Sequence, residues 1–160
     1  MNSSSPRPLL SRIVLDTNIA LDWLVFSDPS TGDLLRWIEE RRAELIVNDL
    51  VIDELRRVLA YPQFNIERSR QSEMTALYES KALNATMPPG FSRERLLLPA
   101  GFPQCRDRDD DHFLALAFHT KAAALVTKDK ALLKLQKKVR RFDLRIVGLD
   151  GLTALPELTS

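Results

Sequence analysis

The feature that most constrains the fold of this chain is a short apolar run that ends abruptly on a carboxylate. Ile13, Val14 and Leu15 are consecutive β-prone residues, and Asp16 follows them directly. Such a run is typical of a strand that is covered on both faces in a parallel sheet. Ligands of open α/β sheets bind beyond the carboxyl ends of the strands, where Asp16 falls. The alternative is an N-cap aspartate that starts the next helix.

Further strands and helices alternate along the chain. Apolar runs predict strands at residues 45–47, 122–126 and 144–147, and helical spacing predicts helices at 19–26, 48–61, 65–83, 109–120 and 129–135. Proline and glycine make residues 84–108 an irregular loop. Strands that alternate with helices predict βαβ units, and hence an α/β fold with a central, mainly parallel sheet.

Length and composition favour one globular domain. We expect a disordered lead-in at residues 1–11, a domain at 12–152 and a tail at 153–160 of the 160 residues. Lys plus Arg total 23 against 22 for Asp plus Glu, so net charge indicates no partner. A single cysteine, Cys105, excludes an internal disulfide, and no apolar run is long enough for a membrane span. The N-terminus lacks the apolar core of a secretory signal, so the expected location is the cytoplasm.

Glu54 is a second carboxylate in an unusual place, on the predicted helix 48–61. Three of its four neighbours on the helix surface are apolar: Leu50, Val51 and Val58. Burial of a charged glutamate is costly without a partner, so an inward-facing Glu54 indicates a functional role. The alternative is an exposed pair with Arg57, the fourth neighbour.

Asp111 and Asp129 complete a candidate acid cluster. Asp111 lies in the first turn of the predicted helix 109–120, next to Asp107, Asp109 and Asp110, and Asp129 follows the strand at 122–126. In a parallel sheet the strand ends converge on one edge, so these acids can share one crevice with Asp16 and Glu54. Such a cluster suits Mg²⁺ or a similar hard cation, which activates water and stabilises phosphoryl oxygens. Solvated helix caps are the structural alternative.

Four segments in order resemble PIN-domain ribonucleases, and in particular the bacterial toxins of toxin–antitoxin modules. The segments are RIVLDTN from Arg12, LVIDELRRVL from Leu50, CRDRDDDHFLALAF from Cys105 and LVTKD from Leu125. The resemblance implies a three-layer α/β/α fold with about four to five strands and a Mg²⁺- or Mn²⁺-dependent endoribonuclease site. Its four acids match Asp16, Glu54, Asp111 and Asp129, although Asp107, Asp109 or Asp110 can take the third position.

The resemblance also implies supporting groups and partners. Thr17, Asn18 and Thr127 match polar positions that hydrogen-bond the acids or bound water. The partners it implies are an RNA substrate, an antitoxin protein that blocks the acidic pocket, and in many cases a second copy of the toxin.

A basic tract near the C-terminus is a candidate RNA contact. It contains Lys134, Lys137, Lys138, Arg140 and Arg141, which can bind phosphates without reading sequence. A solvated surface is the alternative. His112 and His119 lack the remaining ligands of a zinc site, and Cys105 lacks an activating histidine, so neither predicts other chemistry.

The sequence therefore predicts a metal-dependent endoribonuclease that is the toxin of a toxin–antitoxin module. The alternative is a non-catalytic PIN-like module that binds RNA or protein. An aspartate-dependent phosphohydrolase fits less well, because Asn18 stands where those enzymes carry a second aspartate.

Overall fold

The central sheet has five strands, and all of them run parallel. The computed structural model describes residues 11–155, the side chains of Thr153 and Ala154 excepted. The strands are β1 (Ser11–Leu15), β2 (Ala43–Val47), β3 (Ala82–Asn84), β4 (Ala124–Val126) and β5 (Ile146–Val147). Their order across the sheet is β3-β2-β1-β4-β5, and Ile13 of β1 pairs with Leu45 on one side and Ala124 on the other.

Seven α-helices connect and cover the strands of the described part of the chain. They are α1 (Thr17–Leu24), α2 (Gly32–Glu39), α3 (Asp49–Leu59), α4 (Arg68–Ser80), α5 (Asp111–His119), α6 (Lys130–Leu133) and α7 (Gln136–Val139). Helices α1, α3 and α4 pack on one another, and α5 packs on β1, β4 and α3. Short 3-10 turns at Arg108–Asp110 and Arg140–Phe142 precede α5 and follow α7.

The strand order creates a topological switch point between β1 and β4. From β1 the chain steps to β2 and β3 in one direction, and then crosses to β4 and β5 on the other side of β1. Right-handed crossovers that move in opposite directions put their helices on opposite faces of the sheet. The crevice beyond the carboxyl ends of β1 and β4 is therefore left open, and ligands of doubly wound sheets bind at such a crevice.

The strand that was expected to be covered on both faces is fully buried. Ile13 and Val14 are 0% exposed and Leu15 is 1% exposed, so β1 forms the centre of the hydrophobic core. Helix α3 begins at a side-chain cap, because Asn48 Oδ1 accepts a hydrogen bond from the Val51 backbone N–H at 3.0 Å. The predicted α/β architecture with a parallel sheet is confirmed.

Three details of the prediction were wrong. The helix expected over residues 65–83 ends at Ser80, and the chain then forms edge strand β3. Helix α7 lies beyond the predicted short helix, and β4 and β5 are shorter than the apolar runs that indicated them. A three-residue edge strand such as β3 is fixed by pairing with β2 and carries little local signal.

The structure describes only part of the predicted lead-in and of the predicted tail. Ser11, assigned to the lead-in, is the first residue of β1, and the last 3-10 turn runs over Leu149–Ala154. The rest of the predicted lead-in and tail, residues 1–10 and 156–160, lies outside the described residues. Within the described part, every helix is too short or too polar to cross a lipid bilayer.

Candidate active site

Asp16 occupies a helix N-cap position but does not act as a cap. It ends β1 and precedes α1, yet its side chain makes no capping hydrogen bond. Its Oδ2 instead accepts a hydrogen bond of 2.7 Å from the Thr127 hydroxyl, at the end of the neighbouring strand β4. Asp16 is only 4% exposed. Asp16 is therefore a buried carboxylate without a capping role, and it lies at the edge of the sheet where ligands of such folds bind.

Thr127 links the two aspartates that follow β1 and β4. Its hydroxyl donates to Asp16, and its oxygen accepts the backbone N–H of Asp129 at 3.0 Å. Asp129 differs from Asp16 because its Oδ1 does cap a helix, accepting the Ala131 N–H of α6 at 2.8 Å. Both aspartates thus lie at the switch-point edge, as the sequence predicted, and Thr127 connects them.

Glu54 faces inward and is surrounded by donors. Glu54 is 9% exposed. Its Oε1 lies 3.0 Å from His112 Nε2, and its Oε2 accepts a hydrogen bond from the Thr17 hydroxyl. Arg57 contributes a longer contact of 3.9 Å to Oε1. Burial raises the pKa of Glu54, but the hydrogen bonds from His112 and Thr17 and the positive charges outweigh burial and lower it. These contacts therefore favour the ionised form of Glu54.

Within the run Asp107–Asp111, Asp110 is the residue whose pKa is affected by the acids at the ends of β1 and β4. The pKa of Asp110 is raised to about 7 by burial, by the negative charges of Asp16 and Asp107, and by its hydrogen bond and repulsion with Asp129. The pKa of Asp16 is also raised, first by burial and then by the charges of Glu54 and Asp129 against the opposing Thr127 hydrogen bond. The pKa of Asp110 thus responds to the charges of Asp16 and Asp129, and the pKa of Asp16 responds to the charge of Asp129.

Asp111 is held by its own loop. Its Oδ1 accepts the Cys105 backbone N–H at 2.7 Å, and its Oδ2 lies 3.3 Å from Arg108 Nε. Burial raises its pKa, while the hydrogen bond from Cys105 and the Arg108 charge oppose that rise. Asp111 is 5% exposed. In the sequence Asp111 was the preferred third acid, but the electrostatic coupling to Asp16 and Asp129 lies at its neighbour Asp110.

The remaining predicted residues are exposed, although the charge of Asp107 still acts on Asp110. Asn18 is exposed, and no hydrogen bond within residues 11–155 joins it to any of the acids. Asp107 caps the 3-10 turn by accepting the Asp109 N–H at 3.0 Å, and Asp109 is exposed. All five residues of the basic tract are exposed: Lys134, Lys137, Lys138, Arg140 and Arg141.

His112 is a site residue that the sequence reasoning missed. It is 2% exposed, its Nε2 contacts Glu54, and its Nδ1 is a buried atom without a hydrogen-bond partner in the described structure. The spacing of His112 and His119 bears only on a zinc site, for which the remaining ligands are lacking. His112 lies at the start of α5, which packs on α3, and no local spacing in the sequence indicates that its partner is Glu54. A second buried donor without a partner, Asn48 Nδ2, lies at the carboxyl end of β2.

The donor set fits a hard divalent cation, although it is not arranged as a closed cage. Asp16, Glu54, Asp111 and Asp129 each accept a hydrogen bond from a donor of their own, and no group of three or more His, Cys, Asp or Glu among residues 11–155 is arranged to hold a metal ion. Mg²⁺ requires only one or two direct carboxylates, because waters complete its octahedron. Burial and the charges of Asp16, Asp107 and Asp129 raise the pKa of Asp110, and a nearby cation would favour its ionised form.

Fold and site together define the class of this protein: a doubly wound α/β domain with an acidic carboxyl edge. A family model described as PIN domain matches residues 12–131. The match spans 120 of the 160 residues and contains all the acids discussed above. The chain belongs to the PIN-domain family.

A solved structure shares the fold at low sequence identity. It is a chain of the crystal structure of VapBC2 from Rickettsia felis bound to a DNA fragment from their promoter, with 15% identity and a TM-score of 0.55. The alignment covers 86% of this chain and 98% of that chain. No curated protein matches the sequence.

Proposed function

We propose that this protein is a metal-dependent endoribonuclease. The observation that carries the proposal is the group of carboxyls at the switch-point edge. Asp16 is buried there and bonded through Thr127 to the backbone of Asp129, and burial together with the charges of Asp16, Asp107 and Asp129 raises the pKa of the half-buried Asp110 to about 7. Carboxylates that lie close together and are partly withdrawn from water favour a bound cation, which supports the proposal. Phosphodiester hydrolysis is the chemistry that such a site supports.

The residues divide the work as follows. Asp16, Asp110 and Asp129 would hold Mg²⁺ or Mn²⁺, with Asp110 in the third position instead of Asp111. The bound cation lowers the pKa of water and stabilises negative charge on phosphoryl oxygens. Thr127 orients Asp16 and the Asp129 backbone, and His112 and Thr17 keep Glu54 ionised at the side of the crevice. Glu54 thereby adds a fixed negative charge for a second ion or a bound water.

The test is cleavage of a panel of end-labelled single-stranded RNAs and matched DNAs with Mg²⁺ or Mn²⁺. We expect cleavage of RNA that EDTA and the Asp16→Asn variant both abolish. Asp33→Asn is the matched control, because Asp33 is an exposed aspartate paired with Arg36 on α2, away from the site. Cleavage that survives both EDTA and Asp16→Asn would refute the metal mechanism, and cleavage of DNA alone would refute the ribonuclease assignment.

The basic tract is proposed as the surface that holds the RNA backbone. Within residues 11–155 no ion pair engages Lys134, Lys137, Lys138 or Arg140, so these charges are available to phosphates. Neutralising Lys137 and Lys138 together should flatten the salt dependence of RNA binding by about two units of slope while kcat is retained. An unchanged slope would assign the tract to a solvated surface.

We further propose that the protein is the toxin of a toxin–antitoxin module that acts in the cytoplasm. The family assignment and the fold shared with a chain of a VapBC2 structure support this proposal. An antitoxin that blocks the acidic crevice should co-purify when the neighbouring reading frame is co-expressed, and it should inhibit RNA cleavage. Light scattering of the isolated chain tests the proposed homodimer.

A further inference from the structure

A pocket of about 500 Å³ opens beside the acid cluster. The irregular loop at residues 93–104 forms one side, and the beginning of α5 forms the other. His112 lines the pocket and also contacts Glu54, while Asp109 lines it and precedes Asp110. The pocket and the candidate active site therefore share a wall. Its volume is within the range of small-molecule sites.

The loop that forms this pocket is held in shape from three directions. His119 Nε2 donates to the Leu96 carbonyl at 2.8 Å, and Arg141 donates to the Gly101 carbonyl at 3.1 Å. Phe102 is 8% exposed and packs on the Phe142 ring with 4.7 Å between centroids. Leu97 has φ of +56°, a left-handed conformation that is unusual for leucine and that persists only where surrounding contacts enforce it. The pocket is thus preformed.

The walls of the pocket suit a neutral, flat group with polar edges. Apolar surface comes from Leu96, Leu98 and Phe102, whereas Arg93, Glu94 and Gln104 supply hydrogen-bonding groups. Arg93 and Glu94 carry opposite charges, Arg108 is already paired with Asp111, and Asp109 adds one carboxylate, so the lining has no excess of positive charge that would select an anion. Nucleobases of single-stranded RNA have this chemistry: an apolar face, and edges that carry donors and acceptors.

We propose that this pocket binds the base of a nucleotide next to the cleaved phosphodiester and so gives the protein a sequence preference. This inference rests on the proposed ribonuclease function. The position is consistent with the path of a strand, because Asp109 and His112 connect the pocket to the acid cluster and Arg141 of the basic tract is bonded to the pocket loop at Gly101. The phosphate to be cut would lie over the acids while the neighbouring base enters the pocket.

Photo-crosslinking tests the site without any need for cleavage. Randomised single-stranded RNA that carries 4-thiouridine or 6-thioguanosine is irradiated with the full chain in EDTA and digested with trypsin. Residues 96–106 form one tryptic peptide, because Arg95 and Arg106 flank it. We expect this peptide to be the main crosslinked product. RNA that crosslinks to the basic tract but never to residues 96–106 would overturn the proposal and leave the pocket to a protein partner.

Cleavage profiles then test the sequence preference with a matched pair of variants. Arg93 lines the pocket, whereas Arg95 is also exposed and is not part of the lining. On randomised RNA with Mn²⁺, Arg93→Ala should reduce the base preference at one position near the cut by at least about fivefold, and Arg95→Ala should retain it. Equal profiles for the two variants, or a wild type without base preference, would overturn the proposal. A wild type that cleaves no RNA would refute the proposed function, and the crosslinking result would still decide the pocket.

Discussion

The two halves of the acidic edge are built in opposite ways. Around Glu54, three groups contact a single carboxylate: His112, Thr17 and Arg57. Together they lower its pKa. Around Asp110, burial and the charges of Asp16, Asp107 and Asp129 act in the same direction, and its pKa is raised to about 7. The protein itself neutralises the Glu54 half, whereas the Asp110 half is where the proposed cation would supply the missing positive charge.

The largest expected effect tests which aspartate of the acidic run belongs to the uncompensated half. Asp110→Asn should lower kcat/KM for RNA cleavage by about 10³-fold, because it removes a principal charge from the ion site. Asp111→Asn should lower kcat by less than about tenfold, because its contacts to Cys105 and Arg108 are structural.

Initial rates over a range of Mn²⁺ concentrations measure both variants, with circular dichroism to confirm the fold. A folded Asp111→Asn protein that loses more kcat than Asp110→Asn would reverse the assignment.

The next effect concerns the compensated half. His112→Ala removes the main donor of Glu54 and should weaken Mn²⁺ binding and cleavage by about 10- to 100-fold, the usual cost of losing a group that orients a ligand. His112→Gln retains an N–H donor and should recover part of the loss.

Calorimetric titration of Mn²⁺ separates binding from turnover for the two His112 variants. If Ala and Gln behave alike in binding and in kcat, His112 only fills space in the core.

A smaller effect should be visible in stability without any substrate. A carboxyl group whose pKa is raised on folding stabilises the fold at pH values below its unfolded pKa, and this contribution is lost as pH rises through the folded value. In EDTA, the wild type should therefore lose stability between about pH 4 and pH 7, and Asp110→Asn should lose less. Screening of this half-buried group by solvent limits the gain at pH 7.5 to about 1 kcal/mol, or ~3 °C in Tm.

Thermal unfolding at pH 5 and pH 7.5, with and without Mg²⁺, measures the stability difference. Mg²⁺ should raise the Tm of the wild type more than that of Asp110→Asn. A variant that is less stable than the wild type in EDTA at pH 7.5 would contradict the repulsion.

The smallest effect is expected at the rim of the compensated half. Arg57 is 60% exposed at its side chain and lies 3.9 Å from Glu54, so Arg57→Gln should change kcat by about twofold or less. Arg56→Gln is the matched control, because Arg56 pairs with Asp53 and Glu79 on the outer surface. A loss of tenfold or more for Arg57→Gln alone would mean that the charge of Glu54 is balanced from the solvent side.

Most of the fold and part of the site follow from local patterns. The buried run before Asp16 specified β1, and the apolar neighbours of Glu54 specified its inward orientation, because both depend on residues close in sequence. The choice between Asp110 and Asp111 did not follow, since a 3-10 turn at Arg108–Asp110 precedes the helix and changes the direction of each side chain. His112 was missed for a related reason: its partner Glu54 lies on another helix, and no local spacing indicates that contact.

The hydrogen bond between Thr127 and Asp16 determines when, during synthesis of the chain, the acidic edge can form. The two residues are 111 positions apart, so the acidic edge exists only after β4 has joined β1. A chain still emerging from the ribosome holds Asp16 and Glu54 long before it holds Thr127 and Asp129. The proposed ribonuclease activity would therefore begin only once β4 has joined the sheet.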